Sequence, residues 1–302
     1  MAARVSLKFL GVRMIHPSPS RHNQTTGGNT SCLMLDDGQD IIFINAGFGI
    51  NIAGDQMFGE FSRTKAPVSC TLLVSDFLWD SMLGLPFFTP IHFKSTSLRI
   101  LTVVSPAEAK AGLDDAASNL FSPFNGTDGF RSKILIEQMT SKRMIGKWTI
   151  SALPIQHPLA SYPIAVWRLS HPSGVDVGVV MLANNDNETL ANVARFLSGA
   201  KTLICAASSS PNNDRWDLNR TSFQDALTLA LASNSRELYL TQFHPEMDDL
   251  RLQQKLLGLQ EALEQLGATS PEGLMKKKLA IHLASEVDEI VLAKSASIKK
   301  TG

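Results

Sequence analysis

Paired cysteines are absent from this 302-residue chain: Cys32, Cys70 and Cys205 are odd in number, far apart, and form no C-x-x-C. That excludes a disulfide framework and points to buried thiols in a reducing compartment. A charge imbalance is absent too. Lys+Arg and Asp+Glu are both 28, so no broad positive surface draws nucleic acid. The dense basic run Lys276-Lys277-Lys278 and the tail lysines Lys294, Lys299 and Lys300 read as a solvated edge. No apolar stretch approaches the roughly 20 residues that span a bilayer. Arg4 and Lys8 sit in a strand-like run with no apolar h-region behind it, unlike a signal peptide. The expectation is a cytoplasmic protein without membrane or nucleic-acid partners.

What is present is a large potential core, since 44% of the residues are hydrophobic. Short apolar runs at Val5–Val12, Ser31–Leu35, Asp40–Ile44, Ser69–Val74 and Leu98–Val104 predict strands, with Asp36-Asp37-Gly38-Gln39 as a hairpin turn. Ser105-Pro106-Ala107-Glu108 opens a helix with a capping box. A second strand set covers Trp148–Leu153, Ile164–Leu169 and Val177–Leu182. Helices at Glu188–Leu197, Thr221–Ser233 and Met247–Leu266 then alternate with strands at Thr202–Ala206, Leu238–Thr241, Leu279–Leu283 and Glu289–Leu292. In the last helix Leu252, Leu256, Leu259, Leu263 and Leu266 step by four and three and share a face. No repeat or linker intervenes. The pattern predicts one α/β (α+β) domain over 1–294, two packed sheets with helices outside, and a flexible tail at 295–302.

Residues 72–88 carry the most specific pattern. A strand runs into Ser75-Asp76-Phe77-Leu78-Trp79-Asp80-Ser81, and Gly84, Pro86, Phe87 and Phe88 follow. This resembles the H-x-H-x-D-H loop of the metallo-β-lactamase superfamily, in the branch where Gly and Pro-Phe-Phe come next. The three histidine positions read Asp76, Leu78 and Ser81. Other segments are similar to the same branch. They are Gly27-Gly28-Asn29-Thr30-Ser31-Cys32, Asn45-Ala46-Gly47-Phe48-Gly49 (a D-A-G-x-G with asparagine for aspartate), Phe121-Ser122-Pro123, Trp216 with Thr221-Ser222-Phe223, and Ala284-Ser285-Glu286. The resemblance implies a four-layer αββα sandwich. The branch contains cyclic-nucleotide phosphodiesterases, phosphonate-pathway phosphodiesterases and ribonuclease Z-like enzymes, which use two bridged metals to supply hydroxide and neutralise phosphoryl charge.

Carried over position by position, the ligand set becomes Asp76, Leu78, Asp80, Ser81, His157, Asn184 and Gln242. Only Asp80 and His157 keep the expected type. Leu78 has no electron pair to give, and Asn184 is neutral where a bridging anion is needed. Zinc wants about three good nitrogen, sulfur or carboxylate donors at a catalytic site, so no metal or other cofactor is expected. Mg²⁺ on Asp76 and Asp80 is the remaining option, and it usually leans on substrate phosphates.

The first reading is therefore a catalytically degenerate protein that binds or regulates, with a protein partner or a polar small molecule. Its candidate ligand-binding residues are Asp76, Asn184, Gln242, Phe87, Phe88, Arg220 and His244. Arg220 stands nearest a lost histidine of the branch, and His244 reaches a metal position only by a register slip. The alternative is a weak single-metal hydrolase of a phosphodiester, with zinc or another divalent ion and Asp80 and His157 as catalytic residues. A third reading is metal-free acid–base catalysis by Asp76, Asp80 and His157. In a metal-free centre, His157 beside two carboxylates is expected in its cationic form, closing the site and favouring a ligand with a donor or positive group. Ser208, Ser209 and Ser210 lie in no nucleophile-elbow context. His16, His22, His92 and His282 read as loop or structural residues. Phe124, with Phe121, reads as core or pocket wall.

Overall fold

The computed structural model describes residues 4–117, 129–158, 160–182, 186–208, 220–269 and 279–294. The first sheet contains β1 (Arg4–Gly11), β2 (Cys32–Asp36), β3 (Ile41–Ile44), β4 (Val68–Leu73), β5 (Thr96–Thr102) and β6 (Lys133–Gln138) in that order, with β14 (Glu289–Lys294) beside β1. The second contains β7 (Arg143–Ile145), β8 (Trp148–Ile155), β9 (Ile164–Ser170), β10 (Asp176–Val180), β11 (Thr202–Ala206), β12 (Glu237–Thr241) and β13 (Ala280–Leu283), again in order.

Strand alternation builds the layers. Leu33, Leu35, Ile42, Ile44 and Leu73 join one core with Trp148, Trp167 and Val179 of the second sheet. Their neighbours Cys32, Met34, Phe43, Cys70 and Leu72 join another core with α1 (Ile50–Thr64) and α3 (Pro106–Ala117). A sheet buried on both faces reads as a nearly continuous apolar run, as these strands do. The helices α4 (Asn187–Phe196), α5 (Phe223–Ala232) and α6 (Asp249–Thr269) accompany the second sheet. On α6 the leucine stripe holds for four of its five members: Leu252 and Leu259 are buried and Leu256 and Leu263 pack against the same core, while Leu266 is exposed.

The capping box expected before α3 forms, and α4 is capped as well. Ser105 and Glu108 bond reciprocally at the start of α3, and Asp186 caps α4 through Thr189 N–H. Among the described elements that escape the sequence pattern are α1, β6 and β7. The helix α1 carries Gly54 and Gly59 inside it, which weakens any helical signal. Gly54 is required by packing, because a Cβ there would lie 2.9 Å from the Phe88 ring.

Strand direction places the site. β8, β10, β11 and β12 all run the same way, as do β1, β3, β4 and β5. Their carboxyl ends meet across the sandwich. Phe243 N–H donates to Val12 O at 2.8 Å and Met14 N–H to Phe243 O at 3.2 Å. Ala165 N–H donates to Ser75 O at 2.7 Å, and the Trp167 indole to Ser75 Oγ at 3.1 Å. No described helix is long and apolar enough to cross a membrane.

Candidate functional site

The turn after β4 carries Ser75 and Asp76, and Leu78 then caps the one-turn helix α2 (Trp79–Met82). Asp76 is buried, and its Oδ1 accepts Leu78 N–H at 3.0 Å. Burial, and then the like charge of Asp80, push its carboxyl up to about 6; hydrogen bonds from Ser81 and Leu78 and the charge of Arg220 oppose the rise.

Ser81 is placed by Asn45. Asn45 Nδ2–H donates to Ser81 Oγ at 3.0 Å, while its Oδ1 accepts Ser75 N–H at 2.9 Å. With its oxygen so occupied, Ser81 directs its own proton to Asp76. The result is a directed chain from Asn45 through Ser81 to Asp76, wholly buried. Asn45 sits at φ 59°, a left-handed conformation that asparagine tolerates. Asp80 is engaged elsewhere: its Oδ2 accepts Ile15 N–H at 2.7 Å. Ile15 holds φ 64°, an unusual value for a β-branched residue, so this carboxylate fastens a strained turn.

Three further side chains come from the second sheet. His157 follows β8, and Gln242 and His244 follow β12; all three are buried. Gln242 has φ 59°. His244 Nδ1 accepts Glu246 N–H at 3.3 Å, and its Nε2 has no partner. Arg220 precedes Thr221, whose carbonyl accepts both N–H and Oγ–H of Ser208. Ser222 and Asp225 then form a capping box that starts α5. Arg220 Nε is buried without a partner.

Of the expected residues, Asp76 is hydrogen-bonded by Ser81 and feels the charges of Asp80 and Arg220, and His157, Gln242 and His244 follow strands whose carboxyl ends lie at the same edge of the sandwich. Asn184 lies outside the described residues, as do Phe121, Phe124, Trp216, Ser209, Ser210, the Lys276-Lys277-Lys278 run and the tail at 295–302. Leu78 faces a neighbouring cavity of about 130 Å³ with Phe77, Gly112 and Tyr162. Phe88 requires correction. It is fully buried and meets Phe43 edge-on at 5.7 Å, so it is core and not a cleft wall. Phe87 is surface-exposed and lies 6.2 Å from Phe48. His92 bonds Pro86 O and His282 bonds Glu237, both local structural contacts. Asn45 and Ile15 were not among the candidates. The one signal for Asn45 was its place in the Asn45-Ala46-Gly47-Phe48-Gly49 segment.

Among the described residues, no three His, Cys, Asp or Glu side chains are grouped so as to hold a metal ion. Leu78 offers no donor, and Ser81 Oγ already receives Asn45.

Comparison with known proteins defines the class. No protein-family model matches the sequence, and no curated protein matches it. Solved structures do match over nearly the whole chain. The metallo-β-lactamase fold protein YhfI from Bacillus subtilis is 14% identical, with a TM-score of 0.61 over 95% of this chain and 99% of that one. A diphosphatase from the PhnP family is 12% identical, with a TM-score of 0.59 over 95% and 97%. The short form of human tRNase Z is 13% identical, with a TM-score of 0.56 over 95% and 99%. This chain therefore has the metallo-β-lactamase fold, an αββα sandwich.

Proposed function

We propose that this protein is a metal-free pseudoenzyme on the metallo-β-lactamase fold, acting as a binding or regulatory module. The observation that carries the reading is the chain Asn45 to Ser81 to Asp76. Two positions that would ligate metal in a related hydrolase are here bonded to each other, with Asn45 completing the set. A buried polar group is costly unless paired, and this network pairs itself without a cation. The donor set does not fit a two-metal centre: Leu78 is inert, and Ser81 and Gln242 are neutral. Nothing then holds two cations close together to generate hydroxide and neutralise phosphoryl charge. The partner is a protein or a polar small molecule.

Elemental analysis of purified protein tests this directly, with far less than one zinc per chain expected. Hydrolysis of bis-p-nitrophenyl phosphate and cyclic nucleotides is expected at background. Stoichiometric zinc, or turnover lost in both Asp80→Ala and His157→Ala, would instead establish the single-metal phosphodiesterase.

A further inference from the structure

The polar atoms of this edge divide into two kinds. The carboxylates are engaged: Asp76 by Ser81 and Leu78 N–H, Asp80 by Ile15 N–H. The atoms left without partners, the Thr241 hydroxyl among them, can all donate. Arg220 Nε is buried and unpaired, and so is Nε2 of His244, a side chain only 4% exposed. Because His244 Nδ1 accepts Glu246 N–H, the ring proton sits on Nε2 and that nitrogen is a donor. The two residues stand on adjoining segments. Ser208 N–H donates to Thr221 O and Ala207 N–H to Thr241 O, which brings the start of α5 beside the end of β12. Buried N–H groups are nearly always paired. Two that are not, one of them on a permanent cation, describe a place for an acceptor.

We propose that Arg220 and His244 receive a compact oxyanion, the phosphate or carboxylate group of a small molecule, at the rim of the centre. The inference rests on the metal-free reading: the protein's own guanidinium and imidazole N–H supply what a metal would otherwise offer an anion. A charged donor and an anionic oxygen form the stronger class of hydrogen bond, and a guanidinium suits a planar or tetrahedral oxyanion. The polarity is opposite to the one the two carboxylates alone imply, because both carboxylates are already bonded within the protein.

The test uses the full chain after chelator treatment, titrated with inorganic phosphate and separately with acetate. Calorimetry reads affinity, and the His244 Nε2 nitrogen resonance reads location. Saturable binding of at least one anion is expected, with movement of that resonance; the arm that binds names the oxyanion. Arg220→Gln and His244→Gln should each weaken binding about tenfold or more, since each removes a charged or buried donor. Arg220→Lys, which keeps the charge without the Nε donor, should fall between and guards against a folding defect in Arg220→Gln. No saturable binding of either anion by metal-free protein, or binding indifferent to all three variants, overturns the inference and leaves the metal-free reading standing. Binding that appears only with added divalent metal and vanishes on chelation overturns both.

Discussion

Asn45 donates to Ser81 across 3.0 Å, and both side chains are buried at the edge where the two sheets meet. Asn45 also takes Ser75 N–H, so one amide ties the end of β3 to both sides of the turn after β4. Asn45→Ala should orphan Ser75 N–H and Ser81 Oγ and put alanine at φ 59°. A loss of about 3 kcal/mol is expected from two unpaired buried groups and the backbone cost. Urea unfolding measures it; a change below about 0.5 kcal/mol, the range of ordinary surface substitutions, would show the network to be unimportant.

Asp76 should make stability depend on pH in an unusual direction. Its carboxyl is raised in the folded protein to about 6, from an ordinary value of 3.8. The folded state therefore binds the proton more tightly, and the stability this confers is present below the unfolded value and lost as pH rises through about 6. The loss is on the order of 3 kcal/mol, from about 1.4 kcal/mol per unit. Asp76→Asn should flatten this part of the curve and be more stable than the parent at pH 8. Denaturation from pH 4 to 8 tests it, and an unchanged profile in the variant would assign the dependence elsewhere.

Glu286 clamps Asn29 with both oxygens, accepting its N–H and its Nδ2–H at 2.7 Å each. Glu286→Gln turns one acceptor into a donor facing a donor. A loss of about 2 kcal/mol is expected for the bond broken and the group left unpaired. Gly27→Ala should displace the same clamp, since a Cβ there would lie 2.2 Å from Glu286 Cδ and φ is +107°. Thermal melting of both variants, with exchange of the Asn29 amide as the local readout, checks the pair; protection unchanged in either would remove the clamp from the account.

The proposed loss of metal should be reversible by sequence. Asp76→His, Leu78→His, Ser81→His, Asn184→Asp and Gln242→His together restore the donor types, with Asp80 and His157 already present. The combined variant should retain zinc through dialysis, because imidazoles and a bridging carboxylate supply what a tetrahedral site needs. Elemental analysis decides. A folded variant that takes up no zinc would mean that these positions do not converge as assigned.

The sequence by itself determined much of the scaffold. Short apolar runs marked most of the strands, a capping box placed the start of α3, and the leucine spacing set most of the buried face of α6, because each is a local consequence of backbone geometry. The loop from Ser75 to Phe88 was legible through its order of residue types. Other features were not local. The final two strands look alike in sequence, yet β13 joins the second sheet and β14 pairs with β1 in the first. Phe87 and Phe88 are adjacent and chemically identical, but only Phe88 turns into the core. Arg13 is fully buried among Gly27 O, Thr26 Oγ and the Phe243 ring, partners drawn from distant segments. The roles of Asn45, Arg220 and His244 belong to the same class. Whether a polar side chain is satisfied depends on what the fold brings opposite it, and only tertiary structure decides that.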